Sequence, residues 1–129
     1  MANAPAPPVI ADAHDAAALL AGLADAAVEH ATVLYLDPQW RLLGRSDFVG
    51  TRDRVAPPLR AIIAEALRLD AAALILAHGH PGGDARPSAA DIAYTRALVR
   101  VAEALDLIVA DHLIVAGPAI SSLREAGLL

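Results

Sequence analysis

The chain has 129 residues, of which 57% are hydrophobic and 19% charged, so a single packed domain is expected and a barrel of about 250 residues is excluded. Its formal net charge of -5 disfavours nucleic acid as a partner, because proteins that bind a phosphate backbone carry basic faces. Cysteine is absent, which excludes disulfides and thiolate metal sites and leaves His, Asp and Glu as the metal ligands on offer.

The amino-terminal segment is rich in Ala and Pro, which predicts a disordered lead over residues 1–10 and a folded domain over residues 11–129. No apolar run approaches the roughly 18 residues that span a bilayer, and no signal peptide is recognisable, so a soluble, cytoplasmic protein is expected. From Asp12 or Asp15, either of which can cap a helix, apolar residues recur at helical spacing as far as Val28 and predict a first helix.

A hairpin and a second helix are predicted next. Residues 32–36 and 40–43 are apolar and flank Asp37-Pro38, a pattern typical of two antiparallel strands. Residues 48–51 can supply a further strand. After the two prolines at positions 57 and 58, an amphipathic pattern predicts a helix to about Leu69.

The next segment combines a buried strand with a glycine-rich loop. Residues 71–77 are continuously apolar, which favours a strand buried on both faces. Residues 78–87 hold three glycines and two prolines and predict a loop. A third helix is expected to start at Ser88.

Two short strands are predicted near the carboxyl terminus, over residues 107–109 and 113–116, followed by a turn at Gly117-Pro118. The alternation of helices and strands predicts an α/β domain, and the hairpin makes its sheet mixed. Helices are expected to cover both faces of that sheet.

The residues most suggestive of chemistry are two histidines where the buried strand ends. If extended geometry persists through residue 80, His78 and His80 project to the same side and can reach one ion. Asp91, in the first turn of the next helix, can add an oxygen. Two nitrogens, one carboxylate and an open fourth position suit a catalytic zinc.

A simpler interpretation exists for part of this pattern. Ser88 and Asp91 also form a capping box of the S-x-x-D kind, which explains both residues as the start of a helix. Asp84, among glycines, is an ordinary turn former. The capping box does not explain why two histidines precede it at this distance.

The spacing H-x-H, seven residues, Ser, two residues and Asp resembles the JAMM motif of the MPN+ metallopeptidases. More narrowly, residues 59–91, the D-H-L-I-V run at 111–115 and residues 122–129 are similar to the bacterial RadC-like JAB domain. The likeness runs from about Glu29 to the carboxyl terminus. It implies a single-domain JAB/MPN (cytidine-deaminase-like) architecture that binds zinc (Zn2+).

The resemblance assigns roles to particular residues. His78, His80 and Asp91 are implied as the zinc ligands, and Ser88 as the residue that orients water or stabilises the oxyanion. Glu29 is implied as the general base, with a solvated helix-end carboxylate as the alternative and Glu65 as the substitute base.

Some residues fall outside the family pattern or have no clear role in it. Family loops usually read H-N-H-P-S-G, whereas Gly79 and Gly82 stand here in place of the Asn and the Ser, so side-chain hydrogen bonds in the loop are lost. Asp111-His112 lacks the spacing to join the histidine pair, and a supporting or structural role is favoured over ligation.

The function that follows is hydrolysis of a peptide or isopeptide bond by a JAMM-type zinc metallohydrolase. Its expected partner is a peptide or protein substrate, which includes the C-terminal tail of a ubiquitin-like protein, and a homodimer is a further expectation. The alternative is a non-catalytic, metal-stabilised RadC-like accessory module in DNA repair or in mobile-element and defence systems.

Overall fold

The computed structural model describes residues 7–20, 28–50 and 56–129. In chain order the elements are α1 (Ala13–Ala18), β1 (His30–Leu36), β2 (Leu42–Val49), α2 (Leu59–Arg68), β3 (Ala73–Gly79), α3 (Ala89–Glu103), β4 (Ile108–Ala116) and β5 (Ala119–Ser122).

The strands form one mixed five-stranded sheet in the order β2-β1-β3-β4-β5. The pair β3 and β4 is parallel and is connected through α3, whereas the other neighbours are antiparallel. Parallel neighbours need a crossover connection, and α3 supplies it. The predicted α/β class and mixed sheet are therefore confirmed.

Helices lie on both faces of the sheet, as expected. On one face, Ala16 of α1 and the nearby Leu20 join alternate strand residues such as Leu34, Ile75 and Leu113. On the other face, α2 and α3 pack against the intervening strand residues, and the buried residues there include Tyr35, Ile62, Leu74, Leu76 and Leu98. Every residue of β3 is buried, which confirms the strand predicted to be buried on both faces.

The amino-terminal predictions need two corrections. Residues 1–6 of the predicted disordered lead lie outside the described residues, but the end of that lead is ordered. The amide of Ile10 donates to the Trp40 carbonyl, Val9 forms a β-bridge with Arg41, and Ile10 is buried in the core. The first helix ends at Ala18 rather than Val28, and residues 21–27 of that prediction lie outside the described residues.

The hairpin is confirmed, but its second strand is longer than predicted. β2 continues without interruption from Leu42 to Val49, so the additional strand predicted at 48–51 is the end of β2, with Thr51 outside the described residues. The second helix, predicted from the prolines to about Leu69, is found as α2. β3 lies two residues later than predicted and includes His78 and Gly79, so the loop begins at His80.

The two short strands predicted near the carboxyl terminus are one continuous strand, β4, with a bulge. Leu74 pairs with Val109, but the next residue, Ile75, pairs with Asp111, so Ala110 is the extra residue. The predicted turn at Gly117-Pro118 then leads into β5, which the sequence pattern did not reveal. Within the described part of the chain, no helix is both long and apolar enough to cross a membrane.

Candidate metal centre

The two histidines of the H-x-H pattern lie at the end of β3 with their rings close together. The His80 amide donates to the Val115 carbonyl at 2.9 Å, so pairing with β4 persists one residue beyond Gly79. His78 and His80 therefore project to the same side, and their Nε2 atoms are 2.7 Å apart. This is the geometry that the sequence predicts if the strand stays extended through residue 80.

The ring of His80 is oriented by the loop that follows it. Its Nδ1 lies 2.7 Å from the Asp84 carbonyl oxygen, which can only accept a hydrogen bond, so Nδ1 carries the proton. Because Nδ1 is used in this way, Nε2 is the ring nitrogen that faces His78 and can bind an ion. The Asp84 carboxylate accepts from the Arg86 amide at 3.0 Å, as expected of a turn former, and also pairs with the Arg86 guanidinium at 2.7 Å.

Asp91 faces both imidazoles from the first turn of α3. Its Oδ1 is 3.3 Å from the His78 Nε2 and its Oδ2 is 3.3 Å from the His80 Nε2. The predicted capping box is also present, because the Ser88 amide donates to the Asp91 Oδ2 at 2.8 Å and the Asp91 amide donates to the Ser88 Oγ at 3.0 Å. A carboxylate has about four acceptor positions, so capping the helix leaves Asp91 able to face an ion as well.

Asp91 is ionised in this setting. Burial alone would raise the pKa of this carboxyl, but hydrogen bonding to His78 and to the Ser88 amide lowers it well below its usual range. An ionised carboxylate beside two imidazoles is a donor set typical of Zn2+ sites without cysteine. The residues at the end of β3 thus fit a divalent metal by their chemistry as well as their spacing.

Glu29 lies at the same site, immediately before β1. Residues 29 and 31 face the same side of the sheet, and Ala31 pairs with His78, which brings the Glu29 side chain over the histidines. Its Oε1 is 3.7 Å from the His80 Nε2, and the residue is only 8% exposed. Glu29, His78 and His80 offer ligand atoms within 4.8 Å of one another, so a metal-binding group of these three residues is possible.

The substitute base, Glu65, is not at the site. It lies on α2, where its carboxylate accepts hydrogen bonds from Arg68 at 2.5 and 3.1 Å. It is not among the residues that line the cavity beside His78. The structure therefore brings Glu29, and not Glu65, to the histidine pair.

A small cavity of about 130 Å³ opens beside His78 and Asp91. Its walls combine small or apolar residues, among them Ala31, Ala56 and Leu76, with Tyr94 and with polar side chains of the site, which are Glu29, His78, Ser88, Asp91 and His112. The Tyr94 hydroxyl donates to the Pro57 carbonyl at 2.5 Å, and burial raises the pKa of Tyr94 to about 12, so the hydroxyl stays neutral. A cavity well below the usual 300 Å³ of a ligand pocket admits one small group.

His112 lies behind His78, on the side away from Asp91's carboxylate. Its Nε2 is 2.7 Å from the His78 Nδ1, and its Nδ1 is 2.5 Å from the Thr95 hydroxyl. Burial lowers the pKa of His112 to about 3, with the neighbouring His78 adding to the effect, so the ring is neutral. Asp111 points to the opposite face, where its carboxylate accepts from the Ser122 hydroxyl at 2.5 Å.

Thr95 and Tyr94 are the residues of this site that the sequence did not single out. Both lie on α3 after the recognised motif, and neither has a charge or a spacing that marks it. A helical pattern alone does not reveal that the Thr95 hydroxyl meets a histidine from β4.

Comparisons with known proteins relate the whole described domain to one family of sequences. The family model described as RadC-like JAB domain matches residues 10–128. A UPF0758 protein of Bordetella petrii is 46% identical over 108 residues, which cover 83% of this chain and 48% of that protein. A UPF0758 protein of Acidithiobacillus ferrooxidans is 44% identical over 84% of this chain and 49% of its own length.

The UPF0758 protein YkfG of Escherichia coli is 46% identical over 102 residues, which cover 78% of this chain and 65% of that protein. The chain thus spans about half the length of the first two relatives and just under two thirds of the third. The names of these relatives state no activity.

Proposed function

Because this chain belongs to the RadC-like JAB domain family, we propose that it is a JAMM-type zinc metallohydrolase that cleaves a peptide or isopeptide bond. The observation that carries the proposal is the convergence of two imidazole Nε2 atoms, 2.7 Å apart, with the two oxygens of Asp91, each 3.3 Å from one of them. Such a convergence of electron-pair donors is stabilised when a cation lies among them.

In this proposal His78, His80 and Asp91 hold the metal. A bound zinc ion would polarise the substrate carbonyl and lower the pKa of a water molecule toward about 7. Ser88 keeps its hydroxyl hydrogen, because its oxygen accepts from the Asp91 amide. That hydrogen is free to donate to the oxygen that becomes negative when the carbonyl is attacked.

Glu29 is the proposed general base. Its nearest distance to His80 is 3.7 Å, beyond hydrogen-bond range, so its carboxylate is free to accept a proton. It takes the proton of the attacking water as the new carbon–oxygen bond forms, and delivers it to the leaving amine as the carbon–nitrogen bond breaks.

The proposed substrate is a peptide or protein with a small residue beside the scissile bond. The cavity next to His78 is about 130 Å³ and is lined partly by alanines, which suits glycine or alanine better than a large side chain. The C-terminal tail of a ubiquitin-like protein, which ends in glycine, satisfies this requirement.

The second candidate is a metal-stabilised module without turnover. It is favoured by the proximity of ligand atoms in Glu29, His78 and His80, because a Glu29 that binds the metal would no longer serve as the base. The two candidates therefore differ in what Glu29 does.

The experiment that separates them is Glu29→Gln, which keeps the shape of the side chain and removes its basicity. If Glu29 is the base, the variant binds about one zinc per chain and loses hydrolysis by roughly 10²- to 10⁴-fold, the usual contribution of general acid–base catalysis. Two quantities are measured in parallel: the zinc content of the purified protein, and its rate of hydrolysis of a peptide whose C-terminal Gly-Gly is joined to a lysine side chain.

Glu65→Gln is the matched control, since it changes the same functional group on α2, away from the cavity, and should leave both quantities unchanged. Loss of zinc from the Glu29→Gln protein identifies Glu29 as a ligand and favours the binding module. A wild-type chain that binds no divalent metal after reconstitution refutes both candidates.

A further inference from the structure

We infer that Tyr94, held by a hydrogen bond to the Pro57 carbonyl, determines the size of the substrate residue whose carbonyl is attacked. Tyr94 and Pro57 both line the cavity beside His78, and together they form a wall between α2 and α3. This wall favours glycine over a larger residue at that position. The inference rests on the proposed function for the reaction, but the same selection by size applies to peptide binding without turnover.

Tyr94 reaches the cavity from α3. It follows Asp91 by three residues, so the two side chains lie on the same face of the helix. Long side chains in a helix point back toward its amino terminus, which for Tyr94 is the direction of Asp91. Tyr94 is half-buried and lines the cavity together with Asp91 and His78. Its ring therefore borders the space that an attacked carbonyl must enter.

The other part of the wall is a backbone with few means of being held in place. Pro57 and Pro58 have no N–H groups, so they offer only carbonyl oxygens. The amides of Ala61 and Ile62 donate to the Pro58 carbonyl, which begins the hydrogen bonding of α2. The Pro57 carbonyl lies one residue earlier, and the Tyr94 hydroxyl donates to it at 2.5 Å. This hydrogen bond therefore ties the start of α2 to α3 at the cavity.

The walls on the side of the sheet leave little room for adjustment. Ala31, Leu76 and His78 are buried residues of the inner strands β1 and β3. A close-packed core of this kind does not move readily to admit a larger group. The cavity is only about 130 Å³, and the attacked carbonyl occupies part of it because the proposed ligand His78 lines it. The space left for a side chain is therefore set by the wall between α2 and α3.

The acyl side of the bond is the side that this wall can distinguish. In an isopeptide bond the amine side begins with the unbranched methylene groups of a lysine. The acyl side begins with an α-carbon, whose side chain is attached next to the attacked carbonyl. Glycine adds no carbon there, whereas leucine adds a branched chain. In an apolar pocket, one additional methylene group alone can change the rate by about tenfold or more.

The test compares the preference for glycine over leucine in the zinc-loaded wild type and its variants. Hydrolysis is measured on peptides whose C-terminal Gly-Gly or Gly-Leu is joined to a lysine side chain. Binding is measured by calorimetry on the corresponding free peptides that end in Gly-Gly or Gly-Leu. Tyr94→Leu shortens the side chain and keeps it apolar. The preference for Gly-Gly, as a ratio of kcat/KM values and as a ratio of binding constants, should fall by roughly 10- to 100-fold.

Two further variants isolate the hydrogen bond. Tyr94→Phe keeps the ring and removes the hydroxyl that donates to Pro57, so the preference should fall by roughly 3- to 10-fold, the usual contribution of one hydrogen bond. Tyr35→Phe is the matched control, because it removes the hydroxyl of the other tyrosine in the chain. Tyr35 is buried, bonds to Ser46 at 2.9 Å and does not line the cavity, so the preference should not change.

A wild-type protein that binds both free peptides equally, or binds neither, overturns the inference without reference to any variant. An unchanged preference in Tyr94→Phe, whose ring is intact, overturns it as well. If the binding preference depends on Tyr94 while no isopeptide is hydrolysed, the proposed function fails and the selection by size stands. If both isopeptides are hydrolysed at rates that do not depend on Tyr94, the proposed function stands and this inference fails.

Discussion

The two imidazoles at the end of β3 belong to one pair, yet different regions of the molecule hold them. The His78 side chain is 5% exposed, lies in a strand between β1 and β4, and rests on the buried His112. His80 starts a glycine-rich loop, and its side chain is 15% exposed. The Asp84 carbonyl of that loop orients the His80 ring. One half of the site is fixed by the core, and the other half depends on the conformation of a loop.

The largest effects are expected from His78→Ala and His80→Ala, which should share a loss of zinc and differ in the stability of the metal-free protein. Each removes one of three proposed ligands, so zinc content should fall from about one per chain to near zero after a chelator wash. In the metal-free protein, His78→Ala should also lower the free energy of unfolding by about 2–4 kcal/mol, because it opens a cavity and leaves the buried His112 without its partner. His80→Ala should cost about 1 kcal/mol.

Metal analysis and chemical denaturation of both variants check this pair. Equal stability of the two metal-free variants would contradict the contrast between a core-held and a loop-held ligand.

An intermediate effect is expected at one of two neighbouring glycines in the loop, Gly83. Gly83 has a φ of +80°, in the left-handed region, and its amide donates to the His80 carbonyl at 3.2 Å. Gly83→Ala should therefore strain the turn that presents the Asp84 carbonyl to His80, by about 1 kcal/mol, and weaken zinc binding about fivefold.

Gly82→Ala is the matched control, because a Cβ there meets nothing within 4 Å and Gly82 does not have a positive φ in that region. Its zinc affinity and stability should equal those of the wild type. Identical behaviour of the two glycine variants in a zinc titration would show that the left-handed turn does not support His80.

The smallest effect is expected from Arg86→Ala. Arg86 pairs with the Asp84 carboxylate at 2.7 Å, but both side chains are well exposed, at 87% and 55%. Exposed ion pairs contribute little, and His80 is held by the Asp84 carbonyl rather than its carboxylate. The melting temperature should not change, and zinc affinity should stay within about twofold. A large loss of affinity would mean that the ion pair, and not the backbone, orders the loop.

The sequence was enough to predict those parts of the site that local backbone geometry controls. The alternation of side chains along a strand was enough to expect His78 and His80 on one side, and the S-x-x-D pattern was enough to expect the capping box of α3. The sequence did not predict that Ile10 lies in the core, because the residues before Ile10 are rich in Ala and Pro and resemble a flexible lead. Trp40, whose carbonyl accepts from the Ile10 amide, is thirty residues away.

The carboxyl-terminal strands show the opposite case. The predicted strands at 107–109 and 113–116 left Asp111-His112 between them, whereas β4 runs through this pair. Without the bulge at Ala110, His112 would face α1 and Asp111 would face α3, because a shift of one residue exchanges the faces of a strand. The bulge places His112 behind His78 and Asp111 against Ser122.

By itself, the sequence determined the α/β class, the histidine pair and the helix cap that carries Asp91. These depend on residues within a few positions of one another, where strand and helix periods fix the direction of a side chain. Only the tertiary structure decided that Glu29 lies over the pair and that Thr95 and His112 stand behind it. Those contacts cross from one strand or helix to another, and strand order, register and the bulge at Ala110 set them, none of which a local pattern encodes.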